Sequence, residues 1–271
     1  MTRLTAEDTF GLGQGLALYE EELLRKTGRT LRQVACRAAR IDEEALCESL
    51  RQRRVGVVST TAGQGVISGF AEAVRGIISH LGFKAFVPEE TDVAGFAAAI
   101  EEGADVIFMA DDVRFVAVNL STRRVVDNAE ATGRGYGAAL EGMAGSVCGR
   151  RVLVIGAGRV GTGAARLLRE MGAEMGICDP DSSRAQQLAN EVRGVVEADL
   201  EQALHAYPLV VDASPASGII EARHIQSGTL VAAPGIPLGL TAEAEKGIGN
   251  RLIHDPLQIG VATMMILAVK P

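Results

Sequence analysis

Tryptophan is absent from this 271-residue chain, and aromatic residues make up only 4% of it. That scarcity removes the stacking platform used to bind single-stranded nucleic acid. A net charge of −7 argues against wrapping a polyanion and is compatible with a cationic small substrate, so no nucleic-acid partner is expected. No charge-free apolar run reaches the roughly 20 residues that span a bilayer, and residues 1–15 lack the basic-then-apolar pattern of a secretory signal. The expectation is a cytoplasmic protein with no membrane association. The four cysteines, Cys36, Cys47, Cys148 and Cys178, are scattered without metal-ligand spacing. Thiols so placed suit a reducing compartment, and no metal site is expected. Familiar catalytic pairs are missing as well. Tyr136 is followed four residues on by Leu140, so there is no Tyr-x-x-x-Lys, and the only lysines before Gly156 are Lys26 and Lys84. Lys84 opens a predicted strand, at the wrong end for a cleft. Acid–base catalysis on an alcohol by lysine or tyrosine therefore lacks its actors. An amine that loses hydride to become an iminium needs less proton help and fits better.

Against these absences stands one dense motif. Residues 151–161 read Arg-Val-Leu-Val-Ile-Gly-Ala-Gly-Arg-Val-Gly, a buried strand followed by Gly156, Gly158, Arg159, Val160 and Gly161 opening a helix. Asp179 ends the next apolar run, 173–178. This is the dinucleotide fingerprint in its structural context. Gly156 permits the tight turn, Gly158 lets a pyrophosphate approach the backbone, and Gly161 allows close helix–strand packing. The helix N-terminus offers free N–H groups to the phosphates. Asp179 stands where a carboxylate takes the ribose hydroxyls and repels a 2′-phosphate, which points to NAD as cofactor.

The length suggests about two domains, and 47% hydrophobic content is ample for two cores. The first fifty residues read as helical, in stretches around 6–24 and 31–40, with an acidic helical turn starting at Asp42. Strand candidates at 55–59, 84–87 and 105–109 alternate with helical runs at 67–81 and 93–102, which predicts a parallel α/β lobe. A further strand is placed at 115–120, then a helix of small residues at 132–143. From residue 151 strands fall near 151–155, 174–178, 194–196, 208–212, 229–232 and 251–253, and a last helix at 257–269 is placed to pack back on the first lobe. The fold class is α/β: an N-terminal helical and α/β substrate-binding lobe over 1–146, and a Rossmann doubly wound parallel sheet over 147–271.

Ligands of such sheets lie beyond the C-terminal strand ends, which selects the loops that carry chemistry. Ser59-Thr60-Thr61-Ala62-Gly63-Gln64-Gly65 follows the first strand; it reads equally as an anion- or backbone-binding loop and as an ordinary polar turn with caps at Thr60 or Thr61. Met109-Ala110-Asp111-Asp112 follows the third strand, with one acid free to cap the turn and the other to hold a cation. Asn119 is placed as an auxiliary to this loop, and Glu72 lies about one helical turn past the Ser/Thr/Gly loop, beside Phe70. Ser214 and Pro215 follow the fourth strand of the nucleotide half, beside the expected nicotinamide ribose. Pro234 and Gly235 begin a rigid turn after the fifth. His254 and Asp255 follow the sixth and point at the cleft, His254 reading more as a structural histidine than as a base.

Taken in order, Leu4-Thr5-x-Glu7-Asp8, Gly63-x-Gly65-x-Ile67 with Phe70 and Glu72, Met109-Ala110-Asp111-Asp112-x-x-Phe115, the Gly156 motif, Pro234-Gly235-Ile236-Pro237 and Asp255-Pro256-Leu257-x-Ile259-Gly260-x-Ala262-Thr263-Met264 resemble the pyrrolysine synthase family over the whole chain. The resemblance implies an N-terminal helical segment and α/β lobe covering an NAD domain. It implies NAD-dependent oxidation of the terminal amine carbon of an amide of L-lysine with 3-methyl-D-ornithine, ammonia release and closure of the pyrroline ring. Carried over position by position, Leu4 closes over the dipeptide, and Thr61, Ala62 and Phe70 line its cleft. Glu72, Asp111 and Asp255 bind amino groups, with Asp111 or Asp255 as the catalytic proton acceptor. The family is expected to carry serine at the position of Ala62 and glutamate at that of Asp255. A homodimer is expected. Two other readings compete: a hydroxyacid- or shikimate-type alcohol dehydrogenase, against which the missing cleft lysine counts, and a non-catalytic NADH-binding redox sensor, for which the N-terminal fifty residues are too weakly basic.

Overall fold

The computed structural model describes residues 12–46, 52–62 and 67–270. Among the described residues two helices come first, α1 (Leu12–Thr27) and α2 (Leu31–Ala39). A reciprocal capping box opens α2: the Thr30 hydroxyl accepts the Gln33 N–H, and the Gln33 side chain accepts the Thr30 N–H. A five-stranded sheet follows, with β1 (Arg54–Val58), α3 (Phe70–His80), β2 (Lys84–Phe86), α4 (Asp92–Glu101), β3 (Val106–Ala110), β4 (Phe115–Asn119) and β5 (Arg124–Asp127).

Its order is β2-β1-β3-β4-β5. Only β2, β1 and β3 run parallel; β4 is antiparallel to both β3 and β5. The expectation of a parallel lobe is therefore corrected to a mixed sheet. The reason is length: the connection from Ala110 to Phe115 is a short turn, whereas a parallel return needs a crossover of a dozen residues or more. The strand Arg124–Asp127 was not anticipated.

Asp127 accepts the N–H of Ala129 and so caps α5 (Asn128–Ala144), the long helix that carries the chain to the second sheet. That sheet is built from β6 (Arg151–Ile155), α6 (Arg159–Glu170), β7 (Glu174–Cys178), α7 (Ser182–Val192), β8 (Val195–Val196), α8 (Leu200–Ala206), β9 (Leu209–Asp212), β10 (Leu230–Ala232), α9 (Ala242–Ile248) and β11 (Leu252–Ile253). Its order, β11-β10-β9-β6-β7-β8, is parallel throughout. The strand order reverses between β6 and β9, and a crevice opens above their C-terminal ends.

Small residues let α5 and α6 touch at the backbone. A Cβ on Gly133 would lie 2.0 Å from the Val160 carbonyl oxygen, and one on Gly163 would lie 2.6 Å from that of Glu130. The last helix, α10 (Gln258–Val269), is apolar around nearly its whole circumference and buried along most of its length. It packs on α2, α3, α5, β4 and β5, back across the first lobe. The Asn119 amide donates to the Ala268 carbonyl, and Arg124 donates to that of Leu267, fastening β4 and β5 to α10. One continuous apolar core thus runs under both sheets. Among the described residues no helix is long and apolar enough to cross a membrane.

Candidate active site

The glycine motif folds as its spacing requires. Gly156 has φ +94°, and a Cβ there would meet the Ala213 carbonyl oxygen at 2.9 Å. A Cβ on Gly161 would sit 1.8 Å from the Gly156 carbonyl oxygen. Gly158 differs from both: it is exposed, adopts an ordinary extended conformation as the residue before α6, and has nothing within 4 Å of its would-be Cβ. That open space over the first turn of a helix is the shape a pyrophosphate needs. Asp179 receives the Ala157 N–H at 2.6 Å and the Asp181 N–H at 2.8 Å, so the acid is held against the glycine loop it is expected to serve. The residues present fit a dinucleotide.

Arg159, the first residue of α6, pairs with Asp127 at 2.6 Å, and Arg114 reaches the same Asp127 oxygen at 3.3 Å. Asp127 thereby joins the glycine loop to the turn that carries Asp111. Val160 is half-buried behind it.

Loops after β9 and β10 interlock. The Ser214 hydroxyl and N–H both donate to Oδ1 of Asp212, and the Gly235 N–H donates to the Asp212 carbonyl. Pro234 is buried and Pro215 exposed. Oδ2 of Asp212 is fully buried without a hydrogen-bond partner and packs against Gly239, where a Cβ would fall 1.7 Å away. Burial pushes the Asp212 carboxyl up to about 6. Sequence reasoning placed this acid at a strand end but gave it no role.

The two candidate catalytic acids differ in kind. Asp111 is exposed, and its Oδ1 accepts the N–H groups of Val113 and Arg114, both at 2.7 Å. These backbone donors hold its carboxyl below the ordinary range. Asp111 is thus the acid that caps its turn; it is a lasting anion and a weak proton acceptor. Asp255 is buried where β11 runs into α10. Its Oδ1 accepts the N–H groups of Leu257 and Ile259, and its Oδ2 accepts the hydroxyl of Tyr19 at 3.0 Å. The Tyr136 hydroxyl accepts the Asp255 N–H at 2.8 Å and donates to the Asp255 carbonyl at 2.7 Å. Burial raises the Asp255 carboxyl, against the opposing pull of the Ile259 N–H and the two tyrosines. Neither tyrosine contact was visible in the sequence, because Tyr19 and Tyr136 lie 236 and 119 positions away. His254 is exposed; its Nδ1 lies 2.7 Å from the Ala233 carbonyl and, since a carbonyl only accepts, carries the proton.

The substrate-side residues divide. The loop after β1 is tied across the cleft end of the sheet: the Thr60 hydroxyl donates to the Ala110 carbonyl, and the Thr61 hydroxyl and N–H both donate to Asp92. Thr61 and Ala62 stand exposed at its rim. Phe70 is buried beneath, its ring edge-on to Phe115 with centroids 5.2 Å apart, so it supports the Asp111 turn from the core and does not stand open in the cleft. Glu72 is exposed and paired with Arg75 at 2.6 Å. Asn119 is removed from the candidate set. It pairs in register with Val106, at the end of β3 opposite Asp111, and its amide is committed to Ala268, Ser121 and Thr122. Leu4, Gly63 and Gly65 lie outside the described residues.

Away from the cleft, Glu201, His205 and His224 come within ligand distance of one another. The arrangement is poor for a metal ion. His224 Nδ1 accepts the Glu221 N–H, so its Nε2 carries the proton and donates to Glu201, whose carboxylate also takes the Arg223 guanidinium.

A parallel sheet with a glycine cradle, joined to a smaller lobe whose loops face it, defines a two-lobed dehydrogenase fold. Solved structures agree: the chain is similar to quinate dehydrogenase from Corynebacterium glutamicum in complex with NAD (TM-score 0.55, 18% identity, 80% of this chain and 93% of that one) and to shikimate dehydrogenase from Aquifex aeolicus (TM-score 0.54, 17% identity, 76% and 87%). Residues 125–233 match the family model described as alanine dehydrogenase/PNT, C-terminal domain, and residues 12–126 match pyrrolysine biosynthesis protein PylD, N-terminal domain. Over nearly its whole length the chain is similar to curated pyrrolysine synthases. It is 29% identical over 265 residues to pyrrolysine synthase of Methanosarcina acetivorans (98% of each chain) and 27% identical over 270 residues to that of Methanosarcina barkeri (98% of this chain, 97% of that one).

Proposed function

We propose that this chain is an NAD-dependent amine dehydrogenase that oxidises the terminal amine carbon of 3-methyl-D-ornithyl-N6-L-lysine and forms the pyrroline ring of pyrrolysine. The carrying observation is the contrast between two acids at the C-terminal strand ends: buried Asp255, raised towards proton acceptance, and exposed Asp111, held as an anion. An amine donor needs both, one group to take a proton and another to hold the second ammonium. When bound, NAD supplies the hydride acceptor. Asp179 favours NAD over NADP, because a 2′-phosphate would meet a like charge. The division into lobes at 146 and 147 belongs to the same proposal.

Asp255 takes one proton from the terminal ammonium, leaving a neutral amine whose lone pair can expel hydride from the adjacent carbon. The product is an iminium; Asp255 is by then a neutral carboxylic acid, and the anion left to offset the growing charge is Asp111. Water adds to it and ammonia leaves, giving an aldehyde. The α-ammonium releases a proton to water, the free α-amine attacks the aldehyde carbon, and water is lost as the ring C=N forms. Groups held in one chain reach effective molarities of about 10⁵ M or more, so closure asks little of the protein. Asp111 holds the α-ammonium side, Thr61 and Ala62 form the rim and Glu72 the periphery, and Phe70 supports the Asp111 turn from the core.

An alcohol dehydrogenase reading meets a specific obstacle. Lys84 stands in register with Arg54 at the far end of the first sheet, and Lys26 is paired with Glu22 on α1. Steady-state assay of the dipeptide with NAD tests the proposal: reduced cofactor and ammonia should appear together. Turnover of shikimate or quinate in place of the dipeptide would overturn it.

A further inference from the structure

Asp255 has two oxygens and they are not equivalent. Oδ1 is committed to the start of α10, where it accepts the Leu257 and Ile259 N–H groups. Oδ2 is the oxygen left to receive a proton, and the group beside it is the Tyr19 hydroxyl, 3.0 Å away on α1. The backbone of Asp255 is clamped from the other side by Tyr136. Asp255 is thus held by the adjoining start of α10 and by two elements distant in sequence, α5 at its backbone and α1 at its carboxylate, and the N-terminal helix supplies the contact to its Oδ2.

We propose that Tyr19 is a positioning residue of this site: its hydroxyl fixes Oδ2 of Asp255 and keeps that carboxylate ready to take the proton of an incoming ammonium. The proposal rests on the reading of Asp255 as proton acceptor. A hydroxyl suits the task because it donates to a carboxylate and accepts from a carboxylic acid, so the pair stays hydrogen-bonded on both sides of the transfer. The proton balance is simple: ammonium and carboxylate become amine and carboxylic acid, and Tyr19 keeps its own proton. The groups bearing on Asp255 are Tyr19 from α1, Tyr136 from α5, the neighbouring His254 and the first-turn N–H groups of α10; Glu22, one turn beyond Tyr19, adds negative charge on the α1 side. Burial works against the ionised acid, and the Tyr19 hydrogen bond is one of the forces opposing it.

Tyr19→Phe keeps the ring and removes the donor. In the full-length chain without substrate, the protonation midpoint of Asp255 is read from the infrared carbonyl band of the protonated acid, identified by its loss in Asp255→Asn. Losing one hydrogen bond to a charged group should raise that midpoint by about one to two pH units. The acid limb of kcat/KM for the dipeptide should move up by the same amount, so that activity lost at neutral pH returns towards alkaline pH. Tyr19→Leu should give the same shift, which guards against a folding defect peculiar to one variant. A lower melting temperature with an unmoved midpoint overturns the proposal and leaves Tyr19 as packing. A shifted midpoint in a chain that oxidises no amine keeps the Tyr19–Asp255 coupling and overturns the amine-oxidation reading instead.

Discussion

Two glycines of one motif should fail in opposite ways when given a methyl group. At Gly158 the backbone sits at φ −75°, ψ −174°, which alanine adopts freely, and no atom lies within 4 Å of the new Cβ. Alanine is a poorer helix cap than glycine by up to about 1 kcal/mol, while the stiffer unfolded chain returns about 0.4–1 kcal/mol. The two nearly cancel, so Gly158→Ala should melt within about 2 °C of the parent. Its methyl, however, occupies the space of the pyrophosphate. Displacing the phosphates from two backbone N–H groups at about 1.5 kcal/mol or more each weakens NAD binding about 100-fold or more. At Gly161 the added Cβ would lie 1.8 Å from the Gly156 carbonyl oxygen. The helix must move, at a cost of about 2–3 kcal/mol, or roughly 4–12 °C in melting temperature. Thermal melts and calorimetric titration with NAD separate the two effects. A folded Gly158→Ala chain that binds NAD like the parent refutes the cradle, and a Gly161→Ala chain that melts like the parent refutes the packing.

Other consequences are as definite. Asp212 has a folded-state value of about 6 against an ordinary 3.8, so the folded chain binds this proton more tightly than the unfolded one. Its contribution to stability therefore rises as pH falls from about 7 through 6 towards 4, by about 3 kcal/mol in all. Denaturant unfolding of the parent and Asp212→Asn across that range should show the difference, and parallel pH dependences would contradict it. Asp255→Asn should abolish dipeptide oxidation while NAD affinity stays within about threefold, because the acid lies outside the glycine cradle; calorimetry and turnover check the two separately. Glu141 is buried between Arg29 and Arg37, and Glu141→Ala should cost about 2–4 kcal/mol by denaturant unfolding.

The nucleotide half was the more legible because its instructions are local. A buried strand, three glycines and an acid follow one another within about thirty residues, so their spacing alone marks the turn, the open cradle and the close helix packing. The first lobe misled where helix–strand alternation was extended one strand too far: the turn between Ala110 and Phe115 is short enough to demand antiparallel return. Asp111 and Asp112 looked interchangeable in sequence; only the fold shows Asp111 taking two backbone N–H groups. Asn119 resembled a cleft residue because it ends a strand, but reversal of that strand carries it to the other end of the sheet. Tyr19 left no mark on the sequence. It is an ordinary residue on an amphipathic helix until α10 folds back and brings Asp255 beneath it.

The central claim is that the terminal amine carbon of the ornithine moiety is the hydride donor. It is tested most directly with dipeptide carrying a heavy-nitrogen label on that amine alone, incubated with the full chain and NAD. The account predicts that the label leaves as ammonia, one for each reduced cofactor, and that the cyclised product carries none of it. Label retained in the product, or cofactor reduced without labelled ammonia, would contradict it.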